Sequence, residues 1–122
     1  MISIVVGTNR KNSMSAKIAH YYQSILETKY DGPIQVVDLA DLPGDFIGNA
    51  LYDDNGKNPA FNVIRERVQS SEKLVFVVPE YNGSFPGVLK AFIDGLKYPE
   101  GVRDKKAALI GVSSGVQGSL IA

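Results

Sequence analysis

The stretch that most constrains the fold runs from residue 73 to residue 85, where a strand pattern gives way to a turn. Lys73–Val78 is a short, nearly continuous apolar run rich in β-branched residues. Such a run is typical of a strand buried on both faces of a parallel sheet. The Asn82-Gly83 pair that follows predicts a tight turn. Residues 80–85 are therefore expected to form a loop at the carboxyl end of a buried strand, where open α/β sheets bind ligands.

A helix is predicted directly after this loop. Pro86 has a fixed φ and lacks an N–H group, which suits the first position of a helix. Apolar side chains then recur at three- and four-residue steps, as on one face of an amphipathic helix. The residues at this spacing are Val88, Leu89, Phe92, Ile93 and Leu96.

The start of the chain has the same order of strand, polar loop and helix. Ile2–Val6 predicts a first strand, and Ala16–Lys29 carries one apolar face and predicts a helix. The loop between them carries several hydroxyl groups and the guanidinium of Arg10. Because the start of a helix offers unpaired N–H groups and the positive end of its dipole, this set suits a phosphate monoester. The alternative is a simple helix cap, provided by Ser13 or Ser15, beside a solvated Arg10.

The remaining chain continues to alternate strands and helices. Ile34–Leu39 predicts a second strand near a sheet edge, and Asn58-Pro59 predicts the start of another helix. Lys106–Val112 predicts a fourth strand, which runs into a loop of small and polar residues. The alternation predicts an α/β fold with a parallel, doubly wound sheet and right-handed crossovers. With 122 residues, the chain is long enough for one domain, residues 1–122.

Composition excludes several classes of function. Formal net charge is zero, with 13 basic and 13 acidic residues, so nothing favours binding of nucleic acid or of an acidic membrane surface. The chain has no cysteine, which excludes disulfides, thiolate catalysis and iron–sulfur clusters. A single histidine, His20, argues against a histidine-built metal site. The chain opens on a strand pattern with no signal peptide and has no apolar run of about 20 residues, so a cytoplasmic location is expected.

The stretch Pro-Glu-Tyr-Asn-Gly-Ser-Phe-Pro-Gly-Val-Leu-Lys-Ala-Phe-Ile-Asp, residues 79–94, closely resembles the signature of the NADPH-dependent FMN reductase family. The first loop also resembles that family's Gly-Ser-x-Arg-x-x-Ser phosphate loop. The resemblance implies a flavodoxin-like three-layer sandwich with strand order 2-1-3-4, in which FMN lies at the switch point between strands one and three. The loops after strands one, three and four then converge on one crevice.

The resemblance also implies which residues bind the cofactor. Thr8, Arg10, Ser13 and Ser15 would hold the FMN phosphate, although Thr8 replaces the usual serine and Ser15 replaces a frequent asparagine. Tyr81 would pack at the dimethylbenzene side of the flavin ring, and backbone N–H groups of its loop would bind the ring. For Glu80, a role as a hydrogen-bond acceptor within the loop is favoured over general-base chemistry. The full set of expected cofactor-binding positions is Thr8, Arg10, Ser13, Met14, Ser15, Pro79, Glu80, Tyr81, Asn82, Gly83, Ser84, Ser113, Ser114 and Gly115.

The activity implied by the resemblance is hydride transfer from NADPH to FMN, followed by reduction of quinones, free flavins or similar small acceptors. Because the flavin carries this chemistry, no catalytic acid or base is expected. The alternative function is a flavodoxin-like FMN-binding electron carrier or interaction module that does not oxidise NADPH. The family prefers NADPH over NADH, but this sequence shows no clear site for the 2′-phosphate of NADPH.

Two further expectations come from the resemblance. The family normally continues with another helix, a fifth strand and a final helix, so this chain is expected to be less stable than longer relatives and open at strand four. Truncation is the favoured explanation, and the alternatives are completion by a partner chain or a minimal variant that dimerises to cover the gap. A homodimer or tetramer is also expected. The long connection of residues 40–58 either contributes to such a contact or packs on its own domain; its apolar candidates are Phe46, Ile47, Leu51 and Tyr52.

Overall fold

The computed structural model describes residues 1–122 and contains one four-stranded parallel sheet. The strands are β1 (Ile2–Val6), β2 (Ile34–Asp38), β3 (Lys73–Pro79) and β4 (Lys106–Val112). Their order is β2-β1-β3-β4, and all three pairings are parallel. This confirms the predicted doubly wound sheet, with β2 at one edge and β4 at the other.

Four α-helices connect or flank the strands. They are α1 (Met14–Leu26), the short α2 (Phe46–Asn49), α3 (Pro59–Gln69) and α4 (Gly87–Asp94). Helix α1 lies against one face of the sheet, where it buries alternate strand side chains such as Ile4 and Val77. Helices α2, α3 and α4 cover the opposite face, and the stacked ring of Phe61 lies at the centre of that core. All five residues of β1 are buried because helices cover both of its faces.

The helix starts differ from the sequence prediction at two positions. Helix α1 begins at Met14 because the Oγ of Ser13 accepts a hydrogen bond from the Ala16 N–H at 3.0 Å, so Ser13 is the cap. Pro86 precedes the first helical residue of α4 instead of occupying it, since its ψ of 139° is extended. The predicted end of the first helix at Lys29 was also too late, because residues 27–29 form a turn.

The long connection of residues 40–58 packs mainly on its own domain. Phe46 and Leu51 are buried in the core beside α3 and α4, so these two are not surface contacts. Ile47 and Tyr52 remain 62% and 74% exposed, and they alone of the four candidates stay available to another subunit. None of the helices is long and apolar enough to cross a membrane.

Strand β4 differs from the other strands because none of its residues is fully buried. Its residues are exposed or half-buried throughout, and Leu109 is 77% exposed. Within residues 1–122, β4 pairs with β3 on one side and leaves its other edge open, as expected from the family resemblance.

Candidate functional site

The loops after β1, β3 and β4 meet at the carboxyl edge of the sheet and enclose an open crevice of about 490 Å³. The crevice lies where the strand order reverses, since β1 and β3 are neighbours although they are not consecutive in the chain. This confirms the predicted convergence of the three loops. The crevice is lined by Arg10, Lys11, Asn12, Ser13, Met14, Ser15, Pro79, Glu80, Tyr81, Val112, Ser113 and Ser114.

One end of the crevice is the start of α1. Ser13 caps the Ala16 N–H, which leaves the N–H groups of Met14 and Ser15 without partners in the chain. Ser15 is only 2% exposed, yet it lines the crevice and its hydroxyl makes no hydrogen bond within the chain. A hydroxyl that opens into the crevice without a partner in the chain is available to a ligand bound there. The exposed guanidinium of Arg10 is also unpaired, and together these donors are chemically suited to an anion.

Thr8 belongs to the same loop but does not line the crevice. It is fully buried, and its Oγ1 accepts a hydrogen bond from the Arg10 N–H at 3.3 Å. The same oxygen lies 2.7 Å from the Oη of Tyr81, a residue 73 positions later. The first and second loops of the crevice are therefore joined through two hydroxyl groups.

The loop after β3 is a tight turn that its own residues hold in place. Asn82 and Gly83 have φ values of 54° and 76°, a left-handed pair that asparagine and glycine tolerate best. Tyr81 and Ser84 exchange backbone hydrogen bonds of 2.8 and 3.1 Å across this turn. The Glu80 carboxylate accepts a hydrogen bond from the Gly83 N–H, which confirms the predicted role of Glu80 as an acceptor within the loop.

These bonds restrict how the loop can bind a ligand. The Glu80 N–H donates to the Val112 carbonyl at 2.9 Å, and the N–H groups of Tyr81, Gly83 and Ser84 are paired within the turn. Asn82 therefore has the one N–H between residues 80 and 84 that makes no hydrogen bond in the chain. Several backbone N–H groups of this loop were expected to bind a flavin ring. In this structure, only the Asn82 N–H is free to do so.

The third side of the crevice follows β4. Ser113 and Ser114 line it, and the Gly115 N–H donates to the Oγ of Ser113 at 3.1 Å. No group of three or more histidine, cysteine, aspartate or glutamate side chains is arranged to hold a metal ion. Outside the crevice, the Asp94 carboxylate accepts a hydrogen bond from Lys90 at 2.6 Å and raises the pKa of that lysine.

Comparison with known proteins identifies the family. The family model described as NADPH-dependent FMN reductase matches residues 1–122. The chain belongs to this family.

Relatives of the NADPH-dependent FMN reductase family cover nearly all of this chain. A 2-hydroxy-1,4-benzoquinone reductase from Burkholderia sp is 32% identical over 99% of the chain and 64% of its own length. A quinone reductase from Pseudomonas putida is 31% identical over 96% of the chain and 62% of its own length. The chain thus spans less than two thirds of the length of these two curated relatives.

Solved structures agree with the fold. The flavoenzyme NAD(P)H:(acceptor) oxidoreductase FerB from Paracoccus denitrificans is 28% identical, with a TM-score of 0.74 over 99% of this chain and 65% of its own. The apo form of an NADH:FMN oxidoreductase has a TM-score of 0.82 over 95% of this chain and 59% of its own. At 22% identity, that second likeness shows the fold alone.

The crevice brings together most, but not all, of the positions expected from the FMN reductase resemblance. Five expected positions lie outside its lining: Thr8, Asn82, Gly83, Ser84 and Gly115. Thr8 is covered by Tyr81, whereas the other four sit on the outer parts of their loops. Three lining residues were not predicted: Lys11, Asn12 and Val112. Asn12 has a positive φ of 53°, which asparagine tolerates better than most residues, but nothing in the sequence marks it as a lining residue.

Proposed function

We propose that the crevice binds FMN, with the phosphate at the start of α1 and the flavin ring between the loops after β3 and β4. The observation that carries this proposal is the nearly buried, unpartnered hydroxyl of Ser15 beside the free N–H groups of α1 and the guanidinium of Arg10. These donors fit a phosphate dianion, because they combine a helix start, a hydroxyl and a bidentate cation.

The second half of the crevice fits a flat heteroaromatic ring. Pro79, Glu80 and the Ser113-Ser114 pair line the crevice where the ring would lie. When bound, FMN would supply the redox chemistry, since a flavin can take a hydride from a nicotinamide and pass the electrons to an acceptor. The chain's own residues hold the phosphate, orient the ring and leave one ring face open. No side chain of the crevice is required as an acid or base.

We further propose that the protein is an FMN-dependent NAD(P)H oxidoreductase whose acceptors are quinones or similar small molecules. Family membership supports the reductase activity, and two relatives more than 30% identical are named for quinone reduction. An FMN-dependent NADPH-azoreductase of Staphylococcus aureus, 29% identical, supports the wider acceptor class of small aromatic compounds. A homodimer or tetramer stays a prediction.

NADPH consumption tests the activity. The purified 122-residue chain is mixed with FMN, separated from free FMN and supplied anaerobically with NADPH, with and without menadione. The proposal expects NADPH loss beyond one equivalent of bound flavin only when menadione is present. An FMN-loaded chain that oxidises no NADPH would instead be an electron carrier or an FMN-binding module. NADH in a parallel assay measures the nicotinamide preference.

A further inference from the structure

We propose that the Tyr81 hydroxyl is a donor to the ligand phosphate and that Thr8 acts only by orienting it. This inference rests on the proposed FMN site but reverses the roles that the family resemblance suggests, in which Thr8 contacts the phosphate and Tyr81 packs beside the ring. It follows from counting the hydrogen-bond donors and acceptors of one buried hydroxyl group.

The direction of the bond between the two hydroxyls is fixed by burial. Thr8 is fully buried, so its hydroxyl proton needs an acceptor within the protein. Its Oγ1 has two neighbours at hydrogen-bond distance: the Arg10 N–H, which can only donate, and the Tyr81 Oη. If Tyr81 donated to Thr8, the buried Thr8 proton would have no acceptor. Thr8 therefore donates to Tyr81.

This direction leaves the proton of Tyr81 free. The Tyr81 side chain is half-buried and lines the crevice, and its Oη makes no other hydrogen bond within the chain. Its Oη lies close to the backbone of the first loop, because the Thr8 oxygen that it touches also accepts the backbone N–H of Arg10. The free O–H of Tyr81 is therefore near the loop that carries the proposed phosphate donors. A hydrogen bond to a charged group is about twice as strong as one between neutral groups.

The test compares FMN with riboflavin, which has the same ring and ribityl chain but no phosphate. Affinities of both are measured by quenching of flavin fluorescence for the unmodified chain, Tyr81→Phe and Tyr98→Phe. Tyr98 is 90% exposed and lies outside the crevice, so its variant is the matched control. We expect Tyr81→Phe to weaken FMN binding about tenfold to a hundredfold. Riboflavin binding should stay within about twofold, since no charged hydrogen bond is lost.

The role of Thr8 is tested in both backgrounds. Thr8→Val should lower the ratio of FMN to riboflavin affinity in the unmodified chain but leave it unchanged in Tyr81→Phe, because Thr8 acts through Tyr81. Thr8→Ser keeps the hydroxyl and should restore the ratio. Circular dichroism shows whether each variant is folded, and the ratio is insensitive to a general loss of binding.

Three results would overturn the inference. Equal weakening of FMN and riboflavin in Tyr81→Phe would place Tyr81 at the ring. A fall of the affinity ratio by Thr8→Val in the Tyr81→Phe background would make Thr8 itself the phosphate ligand. Equal affinities of FMN and riboflavin in the unmodified chain would remove phosphate recognition altogether. A phosphate-specific loss in a chain that oxidises no NADPH would support this inference and defeat the proposed activity, so the two failures are distinguishable.

Discussion

Strands β3 and β4 are neighbours of equal length and similar apolar sequence, but their environments are opposite. Both have seven residues and pair in register, Phe76 beside Leu109 and Val77 beside Ile110. Strand β3 lies between two strands and beneath helices on both faces, whereas β4 has one neighbour and only Ile110 and Val112 packed against a core cluster. An apolar run therefore specifies a strand, while burial depends on what the rest of the fold places over it.

The same contrast divides the candidate site. Its proposed anion-binding end follows β1, whose five residues are all buried, and includes the start of α1. The Ser113-Ser114 side stands on β4, next to an apolar cavity of about 350 Å³ between β4 and α4. Leu109, Phe85 and Ile93 line that cavity and are partly exposed. We therefore expect the proposed phosphate end to unfold locally less often than the Ser113-Ser114 side of the crevice.

The largest expected difference concerns two leucines on these strands. Leu74 of β3 is 3% exposed and Leu109 of β4 is 77% exposed. Leu74→Ala should lower the free energy of unfolding of the 122-residue chain by about 2–5 kcal/mol, because it leaves a cavity. Leu109→Ala should cost less than about 0.5 kcal/mol. Urea denaturation measures both; equal costs would show that β4 is covered in solution and that the contrast is wrong.

A second pair of variants compares ligand binding at the two ends of the crevice. Ser15→Ala removes a hydroxyl that has no partner in the chain, so stability should stay the same while FMN affinity falls about tenfold or more. Ser114→Ala, on the β4 side, should weaken FMN about threefold or less, since it faces no charged group of the ligand. Fluorescence titration measures both. A larger loss of FMN affinity in Ser114→Ala than in Ser15→Ala would indicate that the phosphate binds on the β4 side of the crevice.

The smallest expected difference compares two serines that accept local hydrogen bonds. Ser13→Ala removes the cap of α1 and should lower the free energy of unfolding by about 1 kcal/mol. Ser113→Ala removes the bond from the Gly115 N–H, which is exposed, and should cost less than about 0.5 kcal/mol. Thermal or urea unfolding distinguishes them, with Ser24→Ala on the exposed side of α1 as a control. The comparison fails if Ser113→Ala costs as much as Ser13→Ala.

Local patterns were sufficient for much of this fold. The bounds of β1 and β4 were predicted correctly because mostly apolar runs end at glycine or at small polar residues. The three loops of the crevice were predicted to converge because all of the strands in a doubly wound sheet run in the same direction. The family resemblance then supplied most of the lining residues.

Contacts between distant residues could not be predicted in this way. Nothing local to Thr8 indicates that its hydroxyl meets Tyr81, and nothing local to Arg67 indicates its partners. Arg67 Nη2 donates to the Val36 carbonyl at 2.7 Å, and the Arg67 carbonyl accepts from buried Ser3. Such pairs depend on how elements pack, and periodicity reports only which face of one element is apolar.

The most direct test of the site is FMN titration of the 122-residue chain, followed by flavin fluorescence, with Arg10→Ala and Arg103→Ala compared. Both variants remove one exposed arginine, but only Arg10 lines the crevice. The account predicts saturable quenching that Arg10→Ala weakens about tenfold to a hundredfold and Arg103→Ala leaves unchanged. No saturable binding by a folded chain, or equal effects of the two variants, would contradict an FMN phosphate site at the start of α1.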